Sequence, residues 1–180
     1  MKREHRGDDG FTDIARGRYP KDSPVVELVG ELDELVAVLG LVRAVVERDN
    51  VLRDLGLELR KHQQLLMRIA GYVALGGEMS SVKPPIDDEL VRSVEEEVEC
   101  IWSRLKPMRK FLVPKGPLEA ALMNYARTVC RRVERRAVKL FRDGYIAPPV
   151  YKYLNRLSDL LFVYTRYIHH LAGSGEEYLE

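Results

Sequence analysis

Proline and glycine cut this chain into a polar head and five stretches in which apolar residues recur every three to four positions. That period is the signature of helices burying one face, and it restricts the chain to helix-on-helix packing. Ser23-Pro24 reads as an N-cap followed by a first-turn proline. From there Val26, Val29, Leu32, Val36 and Leu39 keep helical spacing to about Arg48. A second helix is expected from about Val51 to Gly76, carrying Leu65, Leu66, Ile69, Val73 and Leu75. The paired prolines of "VKPPID" end it, because proline lacks the N–H that a helix interior needs. A third helix, acidic in its first half, is expected from about Asp87 to Leu105. The linker "KPMRKFLVPKGP" has neither period and presents Phe111-Leu112-Val113 as an exposed-looking run. Gly116-Pro117 opens a fourth helix over about 117–142, "DGYIAPP" closes it, and a fifth runs from about Val150 to Ala172. No strand alternation, internal repeat or low-complexity tract is visible. The expected fold is an all-α five-helix bundle over residues 23–172, preceded by a glycine-containing arm at 1–22 and followed by a tail at 173–180.

The fourth helix carries "ARTVCRRVERR", with arginine at 127, 131, 132, 135 and 136. Like charges three or four residues apart repel on a helix by a few tenths of a kcal/mol per pair. The cluster therefore calls for a negative partner: nucleic-acid phosphate, nucleotide phosphate, or carboxylates on a neighbouring chain. Leu118, Leu122, Tyr125, Val129, Val133 and Leu140 fall within about a third of the circumference. Arg127, Arg131 and Glu134 lie opposite them, Arg135 is close by, and Arg132 sits on a shoulder. A solvated stripe is the plain alternative, but arginine at all five positions favours planar, bidentate partners. The net charge is only +1, which argues against a nucleic-acid surface.

Other residues are ambiguous by themselves. Asn155 and Asp159 share one face of the fifth helix, either as polar site groups or as an inter-helix hydrogen bond. Asp33 is expected near the buried side of the first helix, where a carboxylate needs a partner. Glycines 7, 10 and 17 in the head would let backbone N–H groups approach an anion, or would belong to a disordered tail. Cys100 and Cys130 have no metal-ligand spacing and read as reduced thiols. With no apolar leader in "MKREHRGDDG" and no membrane-length apolar run, the expectation is a cytoplasmic protein without membrane or nucleic-acid partners.

Taken in order, "RGDDGFT", "PKDSPVVELVGELDELVAVLG", "IAGYVALGGEM", "FLVPKGPLEAALMNYARTVCRRVERR" and "YLNRLSDLLFVYTRY" resemble the PduO-type ATP:corrinoid adenosyltransferases almost end to end. The resemblance implies a homotrimer with active sites between subunits. It implies transfer of the 5′-deoxyadenosyl group of ATP to the cobalt of a reduced corrinoid such as cob(I)alamin, with release of triphosphate. An adenosylcobalamin-dependent acceptor enzyme is a possible further partner. The resemblance assigns ATP to Arg6, Gly7, Asp8, Asp9, Gly10 and Thr12 of the arm, with Lys21, Arg131, Arg132 and Arg135 adding positive charge. Glu134 and Asn155 would hold the nucleoside and phosphate end. Mg²⁺ would arrive with ATP, without a protein metal site of its own. Asp33 and Arg127 match a salt bridge across the subunit boundary, and Phe111 matches an aromatic beneath the corrin ring that displaces its lower ligand. Five positions depart from the family pattern: Asp9, Val36, Lys115, Asn124 and His169. They leave room for a non-catalytic ATP- or corrinoid-binding carrier or sensor on the same trimeric bundle.

Overall fold

The computed structural model describes residues 7–108 and 110–180. The helices are α1 (Pro24–Val46), α2 (Arg53–Ala74), α3 (Asp88–Trp102), α4 (Leu118–Arg142) and α5 (Pro148–Leu171). Their ends follow the local chemistry. The Ser23 hydroxyl accepts from the Val26 N–H, and the Asp87 carboxylate accepts from the Leu90 N–H at 2.9 Å. Asp88 and Glu89 then place negative charge at the positive end of α3. Gly144, at φ 71°, closes α4. There the N–H of Tyr145 reaches the Leu140 carbonyl at 2.8 Å and that of Gly144 reaches Phe141 at 3.0 Å, the paired bonds of a left-handed C-terminal cap.

The helices pack in the order α2, α1, α4, α5, α3. Short turns join α1 to α2 and α4 to α5, as expected for antiparallel neighbours. On α1 the buried set is Val25, Leu28, Leu32, Leu35, Val38, Leu39, Val42 and Val46, a seam at near-heptad spacing. Helix α5 is buried along most of its circumference, including Tyr153, Tyr164, Arg166 and His169. Among the described residues no helix is long and apolar enough to cross a membrane.

The structure corrects three local expectations. The head contains a hairpin, β1 (Phe11–Ile14) against β2 (Gly17–Pro20), with Phe11 opposite Pro20 and Ile14 opposite Gly17. The linker and the tail also pair: β3 (Leu112–Val113) lies antiparallel to β4 (Glu177–Tyr178). The tail is therefore docked on the bundle. Finally, the buried face of α4 is Ala120, Met123, Ala126, Val129, Cys130, Val133, Ala137 and Leu140, while Leu118 and Tyr125 are exposed. Helix α4 is wedged between α1 and α5, and small residues admit that close approach on two sides. The apolar arc therefore swings toward Cys130, whose thiol faces the Leu154 carbonyl at 3.5 Å.

Candidate adenosyl-transfer site

The arm is held by its own charges. Asp9 accepts from the Phe11 N–H at 3.2 Å and from Arg18 Nη2 at 2.7 and 2.5 Å across the hairpin. The Arg18 guanidinium also lies over the Phe11 ring at 5.7 Å. Its hydrogen bonds hold the exposed Asp9 carboxyl below the usual range. The anionic departure at Asp9 thus comes with an arginine on the facing strand. Lys21 donates from Nζ to the Gly7 carbonyl at 2.7 Å, and its N–H donates to the Gly10 carbonyl at 2.9 Å, closing the base of the loop. Asp8 and Gly10 are exposed, and Thr12, opposite Tyr19, is half-buried. Arg6 lies outside the described residues. The hairpin rests where α2 and α4 end: Arg16 covers Gly76, beside Tyr145.

On α4 the five arginines fall into separate environments. Arg132 is ion-paired to Glu31 at 2.5 Å and to Glu34, and Arg136 to Glu27 at 3.3 Å, all on α1. The sequence expectation that Arg132 joins the phosphate site meets a guanidinium already engaged within the chain, because α1 carries carboxylates along the facing edge. Arg131 and Arg135 are exposed and make no ion pair or hydrogen bond among the described residues. Beside them Glu134 is half-buried and accepts from Asn155 Nδ2 at 3.0 Å and from the Tyr151 hydroxyl at 3.4 Å. Asn155 is therefore an inter-helix hydrogen-bond donor, and it carries Glu134 with it. Burial holds the nearby Asp159 carboxyl above its ordinary value, against the pull of Arg156 and Arg131.

Arg127 is half-buried, donates from Nε to Asn124 at 2.9 Å and lies over Phe162 at 5.8 Å. Burial first, and the Arg131 charge second, push its pKa down. Asp33 is exposed, contrary to its expected buried side, since Leu32 and Leu35 take the core positions beside it. No ion pair joins Asp33 to Arg127 within the chain among the described residues. Both are left available to another molecule.

Arg127 borders a cavity of about 200 Å³ that also meets Phe111, Lys115, Asn124, Arg166 and His169. Phe111 is 79% exposed at its mouth. Three of the five departures, at Lys115, Asn124 and His169, converge here. Gly116, at φ 113°, lies so close to His169 that a Cβ would stand 2.1 Å from its Cε1, so the wider imidazole requires glycine at that turn. Sequence reasoning missed Arg18, Tyr151 and Arg166. A strand period in the head would have set Arg18 opposite Asp13, its register partner, whereas Asp9 lies ahead of β1, and four-residue strands give little period to read.

Among the described residues no cluster of three or more His, Cys, Asp or Glu is placed to hold a metal ion. The arrangement offers unengaged arginines beside a half-buried carboxamide–carboxylate pair. A glycine-containing hairpin lies toward one end of α4, and an exposed aromatic at a cavity lies toward the other.

The chain as a whole has counterparts among known proteins. The Bacillus subtilis corrinoid adenosyltransferase is 35% identical over 170 residues, spanning 94% of this chain and 87% of that protein. The corrinoid adenosyltransferase of Mus musculus is 35% identical over 179 residues, spanning 95% of this chain and 73% of its own. Among solved structures, a phenylalanine-to-alanine variant of the PduO-type ATP:corrinoid adenosyltransferase from Lactobacillus reuteri, complexed with cobalamin and ATP, superposes with a TM-score of 0.88. It is 29% identical and covers 97% of this chain and 96% of that one. An arginine-to-lysine variant of the enzyme, complexed with ATP, gives 0.86 at 29% identity, covering 97% of each chain. The cobalamin adenosyltransferase family model matches residues 3–168, and the chain belongs to that family.

Proposed function

We propose that this protein transfers the 5′-deoxyadenosyl group of ATP to the cobalt of a reduced corrinoid, at sites formed between subunits of a cytoplasmic homotrimer. The observation that carries the shared site is the spread of its parts along α4. The arm rests near Tyr145 and the Phe111 cavity borders Arg127. At 1.5 Å per residue these lie on the order of 25 Å apart along the helix. One copy of the chain does not close its own arm over its own Phe111, whereas a neighbour's arm and α4 can meet. Exposed Asp33 and half-buried Arg127 suit a cross-subunit ion pair. The two free thiols suit a reducing compartment.

The chemistry is a displacement at carbon. The Co(I) lone pair attacks the ribose 5′ carbon, the Co–C bond forms, the C–O bond breaks and its electron pair leaves on the triphosphate. No proton moves in that step, so the protein supplies no base. It holds the reactants in line and offers fixed positive charge where the leaving group gains negative charge. Arg131 and Arg135 are assigned that charge, since neither makes an ion pair or hydrogen bond among the described residues. Lys21, Gly7, Asp8, Asp9, Gly10 and Thr12 order the arm over the phosphates, and Arg18 offsets Asp9. Glu134, aimed by Asn155 and Tyr151, accepts from hydroxyl or amino groups of the nucleoside. Mg²⁺ entering with ATP would add positive charge at the phosphates that Lys21, Arg131 and Arg135 are assigned to hold. Phe111 presents its ring to the corrin face, where it would exclude the lower ligand.

The test mixes the purified protein with chemically reduced cobalamin, Mg²⁺ and ATP while following the Co(I) absorbance, with light scattering on the same sample. Loss of the Co(I) band with stoichiometric triphosphate, from a particle three times the 20.7 kDa chain mass, is expected. Saturable binding of both substrates without loss of the band would instead make it a carrier or sensor. A monomer at micromolar concentration would remove the shared site.

A further inference from the structure

Arg166 is buried to 2% exposure on α5, and a buried guanidinium is costly unless it is paired. It reaches the C-terminal segment: Nε to Glu176 at 2.6 Å and Nη2 to the second Glu176 oxygen at 3.1 Å. Nη2 also donates to the Lys106 carbonyl at 2.8 Å, and the guanidinium lies over Trp102 at 5.0 Å. Arg166 Nη1 is left without a hydrogen-bond partner. One side chain thus joins α5, the end of α3, the linker and the last residues of the chain.

The last residues in turn hold the Phe111 loop. Glu177 and Tyr178 pair with Val113 and Leu112, and the Leu179 N–H donates to the Phe111 carbonyl at 2.8 Å. Lys115 is ion-paired to Glu177 at 2.9 Å, and His169 Nδ1 lies 2.9 Å from the Ser174 hydroxyl. A two-residue ladder is not stable unaided, and chain ends fray unless they are tied down. The exposed Lys115 pair adds little. In the Arg166–Glu176 pair the guanidinium is buried and the carboxylate half-buried.

We propose that Arg166 is a positioning residue for the corrinoid: through Glu176 it fixes β4, and β4 fixes the loop that presents Phe111. This rests on the reading that Phe111 meets the corrin. A bidentate pair between a buried guanidinium and a half-buried carboxylate fixes direction as well as distance, where an apolar contact would allow several arrangements. It suits a loop whose aromatic must stand at a defined height.

The full-length Glu176→Gln variant keeps the shape and removes the charge. An Arg166→Met/Glu176→Gln double variant removes the pair without stranding a buried cation. In both, amide exchange at 111–113 is expected to rise about tenfold or more, with α4 and α5 protection retained. The KM for corrinoid should rise about tenfold while that for ATP stays within about twofold, a split that general loss of folding would not give. Wild-type exchange at 111–113 in the double variant overturns the proposal. So does faster exchange with an unchanged corrinoid KM when Phe111→Ala, run alongside, raises it. If Phe111→Ala is itself silent, the assignment of Phe111 fails and the proposal falls with it, whatever the exchange shows about the loop.

Discussion

Replacing Arg131 by alanine should lower turnover and leave the fold intact or slightly firmer. Arg131 is exposed and, among the described residues, makes no ion pair or hydrogen bond, so its removal breaks none in the free chain. Arg127 and Arg135 stand four residues to either side, and each such like-charge pair costs about 0.2–0.5 kcal/mol. The attraction to Glu134, three residues on and in the less favourable order, offsets roughly one of the two. Alanine adds about 0.2 kcal/mol of helix propensity over arginine. The sum is a gain of roughly half a kcal/mol, which for a domain of this size raises Tm by about 1–2 °C. Removing one preorganised donor to the leaving group should cost about 2.7–4 kcal/mol of transition-state stabilisation, roughly 10²–10³ in kcat. Arg132→Ala is the control, since it loses its pairs to Glu31 and Glu34, partly exposed and together worth about 1 kcal/mol. Its Tm should fall and its kcat should change less. Co(I) absorbance kinetics and thermal melts read both. Wild-type kcat and KM for ATP in Arg131→Ala would refute the assignment of leaving-group charge to this residue. A Tm drop of several degrees would show that Arg131 has a structural partner in the assembled protein.

Two further outcomes follow from the arm and the core. Trypsin cleavage at Arg16, Arg18 and Lys21 should slow when Mg-ATP is added, because ligand favours the ordered arm, and equal rates at saturating nucleotide would make the hairpin a bystander. His62, buried on α2, lies 2.9 Å from the Tyr153 hydroxyl, and burial pulls its pKa down from 6.5 to about 4. The native imidazole stays neutral as pH falls through 6.5 while the unfolded one gains a proton, so stability drops by about 3 kcal/mol between pH 6.5 and 4. Urea melts over that range should show this slope weakened in His62→Gln, and an unchanged slope would place its origin in other groups.

The helices were legible because their ends are written locally. Ser23-Pro24, Pro84-Pro85, Asp87 and Gly144 each act within a few residues, and the apolar period between them survives any arrangement of neighbours. The arginine cluster and the Phe111 linker were legible as sequence matches. The strands were hidden by the opposite circumstance: β3 and β4 come together from distant parts of the chain, and neither has a period of its own. Asp33 was misplaced because its side of α1 is decided by which of several apolar residues α4 covers. Leu118 and Tyr125 were assigned to the core for the same reason, since the small residues Ala120, Ala126 and Ala137 carry no strong hydrophobic signal yet permit the closest packing. Arg132 was assigned to ATP by the resemblance, and its pairs to Glu31 and Glu34 could not be read from spacing on α4 alone.

That opposite surface sorts the arginines. Glu27, Glu31 and Glu34 follow one another at four and three residues along α1, a single edge that faces α4. Arg132 and Arg136 are four apart and meet that edge, with Glu31 reaching both, at 2.5 and 3.9 Å. Arg131 and Arg135 precede them by one residue each, a rotation of about 100° that carries them off the acidic edge. They are exposed to solvent and flank the Glu134–Asn155 pair. The doublets Arg131-Arg132 and Arg135-Arg136 thus serve two purposes one turn apart. In each, the second arginine ties α4 to α1 by a charge that ends inside the chain. The first projects a charge with no ion pair among the described residues, and under the proposed function an incoming triphosphate would balance it.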